Sequence, residues 1–235
     1  MTQTRLELAG LTTRIVGPAD ARTTVVLLHG YGAPGDDLVS LADYLQRGAG
    51  VKARFAFPAA PIELGGLYGD SRAWWRLDLM KLEAQLRSGA VRDRRDEVPE
   101  GLAEVRAQLS SCLDELCTKL SIGADQLVLG GFSQGAMLAL DVALHRPAPP
   151  AGLILMSGTL LAESEWALRM ATLKGVPVMQ SHGKSDTLLP FSIAEILRDK
   201  LTAAGAVVDW QPFSGGHEIP PPVLAAAATL LLARG

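Results

Sequence analysis

Short apolar runs alternate along the chain with longer segments in which apolar residues recur at every third or fourth position. Continuous runs such as TTVVLLHG and LVLGG are typical of strands buried on both faces, whereas the three-to-four spacing is typical of amphipathic helices. Alternation of the two predicts an α/β fold with a mostly parallel, twisted central sheet and helices on both of its faces.

The predicted elements open with a hairpin that has Gly10 in its turn, after which strands alternate with helices. Prolines and glycines mark the ends of several elements. The predicted strands are RLELAG, LTTRIVG, TTVVLLHG, VKARFAFPAAP, LVLGG, AGLILMSG, VPVMQSHG and AVVDWQPF. The predicted helices are a segment from about Asp36 to Arg47, GLAEVRAQLSSCLDELCTKL, a segment from Gln134 to Arg146, PFSIAEILRDKLTAAG and PPVLAAAATLLLARG. No linker interrupts them, so residues 1–235 are expected to form a single domain.

Residues 62–97 interrupt the alternation as an insertion with two adjacent tryptophans, a short amphipathic stretch and a charge run. Loops of this length are usually functional or disordered. We expect a small cap that contains a helix from about Asp78 to Arg87, with the mixed charges of RDRRDE in a solvated turn. Two interpretations of Trp74 and Trp75 stay equally open. Either their rings pack the insertion against the core, or they line a ligand cleft.

The composition and charge of the chain favour a globular protein and argue against a nucleic-acid-binding or membrane-spanning one. The 235 residues are 48% hydrophobic and carry a formal net charge of −3, which is typical of a globular protein and indicates no nucleic-acid partner. Neither a secretory pattern nor a membrane-spanning apolar run is visible, so we expect a cytoplasmic protein without stable membrane insertion. Cys112 and Cys117 fit no metal or redox motif and are expected to be buried thiols. The oligomeric state is left open.

Gly131-Phe132-Ser133-Gln134-Gly135 matches the pattern G-x-S-x-G between a predicted strand and a predicted helix. The pattern demands a sharp turn that lifts the serine hydroxyl clear of the sheet. Glycine is needed two residues to either side because a Cβ atom there would collide with neighbouring elements. A dinucleotide-binding loop does not fit, since the G-x-G-x-x-G register is absent, and a packing turn with an incidental serine stays as the plain alternative.

A serine nucleophile needs an imidazole that accepts its proton and a carboxylate that orients the imidazole. His217 lies in the glycine-rich SGGHEIP loop after the last strand, and Asp186 lies in a loop after the preceding strand. Ser133, Asp186 and His217 therefore occur in the chain order expected of an α/β-hydrolase triad. The other histidines are expected in structural roles: His29 and His182 buried and hydrogen-bonded at strand ends, and His145 at a helix end near the surface.

The charge of a tetrahedral acyl intermediate is normally held by two backbone N–H groups, which form an oxyanion hole. The glycine-rich segment HGYGAPGDD after a central strand can turn back toward Ser133, so the N–H groups of Tyr31 and Gln134 are expected to form this hole. The segment also fits an ordinary glycine-rich turn before a helix, and both interpretations can hold at once. None of this chemistry requires a metal or another cofactor.

Successive blocks of the chain resemble the phospholipase/carboxylesterase family of α/β-hydrolases, which includes acyl-protein thioesterases and bacterial carboxylesterases. The blocks are LLHGYGAPGDDL, FPAAPIELGGLYGDSRAWW, LGGFSQGAMLAL, LILMSG, SHGKSDTLLP and GGHEIP, and the likeness covers nearly the whole chain. The resemblance implies an α/β-hydrolase fold without a metal, the same triad and the same oxyanion hole. After RAWW the family commonly has a short loop where this chain has a long one, so substrate choice does not carry over.

These features predict a serine hydrolase that cleaves carboxylic esters, or thioesters, of small or acyl-chain substrates through an acyl-enzyme. Leu67, Tyr68, Trp74 and Trp75 are expected to form an apolar wall of the substrate site beside Tyr31. Two alternatives stay open. One is a non-catalytic relative that binds a small apolar ligand, although a binder would not need all three triad members. The other is a membrane-surface lysophospholipase whose cap docks on lipid, against which the short, mixed-charge stretch LDLMKLEAQLR argues.

Overall fold

The computed structural model describes residues 3–65, 69–78, 80, 93 and 95–234. The strands are β1 (Gln3–Leu8), β2 (Leu11–Val16), β3 (Thr23–Leu28), β4 (Ala53–Pro58), β5 (Ile62–Glu63), β6 (Arg72–Ala73), β7 (Leu127–Phe132), β8 (Gly152–Met156), β9 (Pro177–Gly183) and β10 (Val207–Phe213). The helices are α1 (Val39–Asp43), α2 (Leu102–Leu120), α3 (Gln134–His145), α4 (Glu163–Ala167), α5 (Phe191–Ala203) and α6 (Pro221–Leu232). A π-helical turn covers Tyr44–Gly48, and 3-10 turns cover Ala124–Gln126 and Met170–Leu173.

Eight of these strands form one sheet in the order β1-β2-β4-β3-β7-β8-β9-β10. The hairpin β1–β2 and the pair β2–β4 are antiparallel, and the other neighbouring strands are parallel. The hairpin turns at Ala9 and Gly10, which both have positive φ. Helices cover both faces of this mostly parallel sheet, so the predicted α/β fold is confirmed.

Both faces of the sheet are buried, which explains the continuous apolar runs of its central strands. On β3, Val26 and Leu28 pack into the cluster that contains α2, α3 and α5, whereas Val25 and Leu27 pack into the cluster that contains α1 and α6. Every residue of β3 and β4 is buried as a result. Because side chains alternate between faces along a strand, an apolar run without alternation matches a sheet with two cores.

The structure differs from the sequence prediction in three places. The helix predicted from about Asp36 to Arg47 is the short α1 followed by the π-helical turn. The insertion contains an unpredicted two-stranded sheet, β5–β6, while its predicted cap helix lies almost wholly outside the described residues. The charge run is partly anchored and not simply solvated, because the Arg95 and Glu97 carbonyls accept hydrogen bonds from the N–H groups of Glu163 and Ala162.

Both cysteines are free thiols in the same helix, α2. Cys112 is buried, with Sγ 3.8 Å from Thr13 Oγ1, and Cys117 is half-buried. Burial raises the pKa of the Cys112 thiol to about 11 and also raises the pKa of Cys117. The expected buried thiol therefore holds for Cys112 and only in part for Cys117, and both thiols stay protonated at neutral pH.

Candidate active site

Ser133 stands at the tip of the turn between β7 and α3, at the sheet edge where the parallel strands end. Its backbone has φ 55° and ψ −118°, a sparsely populated conformation for a residue with a side chain. The turn is held from both sides: the Ser133 N–H donates to Met156 O at 2.9 Å, and its carbonyl accepts from the Met137 N–H at 3.1 Å. The surrounding structure thus maintains a strained bend that presents the hydroxyl.

The two glycines of the G-x-S-x-G pattern are required by close backbone contacts. A Cβ atom on Gly131 would lie 2.5 Å from Leu28 O and 2.7 Å from the Gly135 carbonyl carbon, and a Cβ on Gly135 would collide with the same Leu28 carbonyl. These neighbours are backbone atoms of β3 and α3. Because the interior is closely packed, they could shift only by displacing the strand or the helix. The strand, the turn and the helix can therefore approach one another only where no side chain intervenes, as the pattern predicted.

Ser133, His217 and Asp186 lie on three separate loops and are joined by hydrogen bonds. His217 Nε2 lies 2.8 Å from Ser133 Oγ, and His217 Nδ1 lies 2.7 Å from Asp186 Oδ2. Since a carboxylate only accepts, Nδ1 carries the proton, which leaves Nε2 free to accept from the serine hydroxyl. The imidazole also packs on the ring of Phe132, with centroids 4.7 Å apart. The structure thus brings together the three side chains that chain order selected.

The His217 loop approaches the Asp186 loop through main-chain contacts at Gly183. The Ser185 N–H donates to Gly215 O at 2.9 Å, and the Lys184 N–H donates to Phe213 O at 2.9 Å. A Cβ on Gly183 would lie 2.6 Å from Gly215 O, so a side chain there would push the two loops apart. The glycine that ends β9 therefore allows the loop of Asp186 to lie close to the loop of His217.

The buried Asp186 carboxylate is surrounded by hydrogen-bond donors. Oδ1 accepts from the N–H groups of Leu188 and Leu189, each at 2.9 Å, and Oδ2 lies 3.3 Å from His182 Nε2 in addition to His217. Burial alone would raise the pKa of this carboxyl, but hydrogen bonds from His182, His217 and Leu189 hold it well below its ordinary value. These hydrogen bonds stabilise the folded protein fully above the ordinary pKa of an aspartate. Their contribution to stability is lost as the pH falls through the lowered pKa of Asp186.

The remaining histidines make structural hydrogen bonds. The buried His29 ring donates from Nδ1 to Gly30 O at 2.8 Å and accepts from the Ala60 N–H at Nε2, 3.0 Å away. Burial lowers the pKa of His29, so the ring stays neutral. The buried His182 donates from Nε2 to Leu189 O at 2.9 Å. His145 ends α3, as expected, and its half-buried ring reaches Glu165 Oε1 at 3.0 Å.

The two residues expected to form the oxyanion hole flank Ser133. Gln134 begins α3, where backbone N–H groups have no carbonyl in a preceding turn to bond. On the other side, a Cβ on Gly30 would lie 3.5 Å from Ser133 Cβ, so the chain entering Tyr31 runs directly beside the serine. Tyr31 and Gln134 both line the cavity above Ser133. The elements that carry Tyr31 and Gln134 therefore both pass close to Ser133.

A mostly apolar cavity of about 220 Å³ opens above Ser133 and His217. Its apolar walls come from separate parts of the chain: Trp75, Leu77, Met137, Leu160, Leu161 and Ile193. Of the predicted wall residues, Trp75 and Tyr31 line this cavity. Trp74 is not among the lining residues, and Leu67 and Tyr68 lie outside the described residues. Sequence reasoning missed Leu160 and Leu161, although they follow β8 at the same sheet edge, a position that could have identified them.

Neither a metal-binding cluster nor a membrane-spanning helix occurs among the residues that the structure describes. There, no three His, Cys, Asp or Glu side chains are grouped so that they could hold a metal ion. Among the same residues, no helix combines the length and apolar character needed to cross a membrane.

The chain is similar to a known family and to several proteins of known structure. The model of the phospholipase/carboxylesterase family matches residues 12–233. Acyl-protein thioesterase 1 from Neurospora crassa is 28% identical over 208 residues, covering 85% of this chain and 82% of that protein. The protein of the same name from Eremothecium gossypii is 30% identical over 188 residues, covering 78% and 74%. The crystal structure of esterase PE8 superimposes with a TM-score of 0.80 at 29% identity, covering 96% of this chain and 99% of that one. A carboxylesterase from Mesorhizobium loti, 21% identical over 99% of both chains with a TM-score of 0.77, shares the fold.

The sheet order, the strained serine turn and these likenesses define an α/β-hydrolase, and the chain is an enzyme of the hydrolase class. It belongs to the phospholipase/carboxylesterase family, as the sequence blocks predicted. The non-catalytic alternative is therefore not supported. The membrane-surface alternative depends on a cap helix that lies almost wholly outside the described residues.

Proposed function

We propose that the protein hydrolyses carboxylic esters or thioesters with Ser133 as nucleophile, His217 as general base and acid, and Asp186 as the group that orients His217. The observation that carries the proposal is the continuous run of hydrogen bonds, 2.7 Å and 2.8 Å long, from Asp186 through His217 to Ser133 at the floor of an apolar cavity. A cytoplasmic location stays a prediction, and a small-molecule ester or acyl substrate is part of the proposal.

Each half of the reaction uses the same imidazole. Ser133 Oγ attacks the acyl carbon while its proton passes to His217 Nε2, and the carbonyl electron pair moves onto oxygen. When that pair returns, the bond to the leaving group breaks, and His217 gives its proton to the departing alcohol or thiol. Water then attacks the acyl-enzyme in the same way, releasing the carboxylic acid and restoring the serine. Asp186 stays ionised and stabilises the imidazolium that forms in each half.

The negative charge on the tetrahedral oxygen would be held by the N–H groups of Tyr31 and Gln134. This assignment is supported by the position of Gln134 at the start of α3, where the helix dipole favours negative charge. It is also supported by the close passage of Gly30 beside Ser133. Donors that are already oriented stabilise the transition state without reorganisation, and each is typically worth about two to three orders of magnitude in rate.

The apolar lining supports an aliphatic or aromatic acyl group as the part of the substrate that enters the cavity. Leu160, Leu161 and Ile193 are all buried, and burying each methylene of a ligand among such side chains contributes about 0.8 kcal/mol. The names of the relatives include thioesterases of acylated proteins as well as esterases, so both ester and thioester substrates are retained.

The test is turnover of p-nitrophenyl esters and of acyl thioesters in a chain-length series by the wild type beside Ser133→Ala. We expect turnover of both classes, dependence on Ser133, and a rise of kcat/KM with acyl length up to the depth of the cavity. Folded wild-type protein that turned over neither class, or whose turnover survived in Ser133→Ala, would contradict the proposal.

Filling the cavity is expected to shift this preference toward short chains. Leu161 is 5% exposed and lines the cavity, so Leu161→Trp would occupy space otherwise taken by the acyl group. We expect kcat/KM for long acyl esters to fall about tenfold or more relative to acetyl esters. Leu168→Trp is the matched control, because Leu168 is 87% exposed. An unchanged chain-length profile in Leu161→Trp would show that the acyl group does not enter this cavity.

A further inference from the structure

Trp74 connects the two elements that carry the proposed oxyanion donors. Its indole N–H donates to His29 O at 2.9 Å, two residues before Tyr31. Its backbone N–H donates to the side-chain Oε1 of Gln134, also at 2.9 Å. Trp74 is 1% exposed and Gln134 is 2% exposed, so water does not compete for these two bonds.

The segment around Trp74 is bonded to the same two elements through Arg72 and Trp75 as well. The Gly32 N–H donates to Arg72 O at 2.9 Å, and the Arg72 N–H donates to Ala33 O at 3.0 Å. On the other side, Gln134 Nε2 donates to Trp75 O at 2.9 Å. Residues 72–75 therefore form a strut with one edge on the loop after β3 and the other on the first residue of α3.

His29 makes the loop end of this strut rigid. The His29 ring holds Gly30 O and the Ala60 N–H through its two nitrogens, and it packs against the Trp74 ring with centroids 5.4 Å apart. His29 is thus held both through its ring and through the carbonyl that accepts from the Trp74 indole. A displacement of Trp74 would be transmitted directly to the chain that enters Tyr31.

We infer that Trp74 is a positioning residue that holds the Tyr31 and Gln134 N–H groups at the separation the oxyanion needs; the inference rests on the proposed function. The two donors lie on different elements. Trp74 is bonded to both elements, to the His29 carbonyl ahead of Tyr31 and to the side chain of Gln134. Oxyanion stabilisation depends on donors about 2.7–3.1 Å from the developing charge, and misplacement by about 1 Å can cost two orders of magnitude in rate. Trp74 would thus act on the transition state without touching substrate.

The main experiment compares Trp74→Phe with a matched control, Trp166→Phe. Trp166 is also fully buried, and its indole N–H donates to Asp141 Oδ1 at 2.8 Å, away from the cavity. Each substitution removes one buried indole hydrogen bond and leaves an aromatic ring, so both should lower Tm. All measurements are made well below the lower Tm. We expect Trp74→Phe to lower kcat for an acetyl ester about 10- to 100-fold with little change in KM, and Trp166→Phe to leave both unchanged.

A second readout separates donor geometry from general loosening of the fold. An alkyl boronic acid adds to the serine as a tetrahedral anion that resembles the transition state, whereas an alkyl alcohol fills only the apolar cavity. In Trp74→Phe we expect the inhibition constant of the boronic acid to rise by about the same factor as kcat falls. The inhibition constant of the alcohol should stay the same.

Gln134→Met supplies an independent route if Trp74→Phe fails to fold. It removes the side-chain bonds to Trp74 and Trp75, while residue 134 still has a backbone N–H at the start of α3 that can act as a donor. We expect the same kcat loss with unchanged KM. In the double variant, the combined loss should be smaller than the product of the single losses, because both substitutions break one strut.

The outcomes separate this inference from the proposed function. Ser133-dependent turnover in the wild type, with kcat and boronic acid affinity unchanged in both Trp74→Phe and Gln134→Met, would overturn the positioning role and leave the hydrolase proposal intact. Equal losses in Trp74→Phe and Trp166→Phe would also overturn it. Turnover that survives Ser133→Ala would instead overturn the proposed function together with this inference.

Discussion

Ser133→Ala is expected to lower kcat for ester hydrolysis by about 10⁵- to 10⁶-fold, the loss seen when a serine nucleophile is removed from an established triad. The Oγ atom that lies 2.8 Å from His217 Nε2 is the atom expected to attack the acyl carbon. Without it, no acyl-enzyme forms, and only the oxyanion donors and the cavity remain to assist attack by water. The measurement is kcat for the best p-nitrophenyl ester, with Tm of the variant to establish folding.

The matched control for this variant is Ser111→Ala. Ser111 lies on the exposed face of α2, where its hydroxyl donates to Ala107 O at 3.1 Å. This substitution should leave kcat unchanged. A loss of less than about tenfold in folded Ser133→Ala would exclude Ser133 as the nucleophile.

Asp186→Asn is expected to lower kcat by about 10⁴-fold with little change in overall structure. In the wild type, Oδ2 accepts a hydrogen bond from His217 Nδ1, while Oδ1 accepts hydrogen bonds from two backbone N–H groups. The two backbone donors favour the amide oxygen at Oδ1, so the amide NH₂ takes the place of Oδ2. It would then donate to His217 Nδ1 and force the proton onto Nε2. That tautomer cannot accept the serine proton.

The control for this variant is Asp199→Asn, since Asp199 is an exposed partner of Arg198 on α5. Its kcat should match the wild type. The two variants are compared at several pH values, because a tautomer change lowers kcat across the neutral range. If Asp186→Asn kept more than about a tenth of wild-type kcat, Asp186 would not be the residue that orients His217.

The fold could be predicted because the sequence of each core strand, taken by itself, shows that the strand is buried. In β3 and β7 a continuous apolar run reflects burial on two faces, and the alternation with helices follows from parallel connections. The grouping of Ser133, Asp186 and His217 could be predicted for a related reason. Parallel strands end at the same edge, so loops that are distant in sequence meet there.

The cavity walls and the role of Trp74 could not be predicted, because they depend on contacts between distant segments. Trp74 and Trp75 are adjacent and chemically identical, yet one is bonded between His29 and Gln134 and the other faces the cavity. No local pattern distinguishes them. Of the two interpretations that the sequence offers, packing against the core applies to Trp74, and lining a cleft applies to Trp75.

The short β5–β6 sheet was missed because strands of two residues leave no periodic signal. The same limit applies to the helix expected from about Asp36 to Arg47. The sequence predicts one continuous helix there, whereas the chain changes to a π-helical turn at Tyr44–Gly48. There the Val51 N–H donates to Leu45 O at 2.9 Å, a contact that spacing alone does not encode.

The central claim, that Ser133 is a nucleophile activated by His217, is tested most directly by labelling the folded protein with a fluorophosphonate and mapping the modified peptide. We expect one phosphonyl group per chain, attached to Ser133, with labelling slowed by several orders of magnitude in Asp186→Asn. Labelling at another residue, or no labelling of folded wild-type protein, would contradict it.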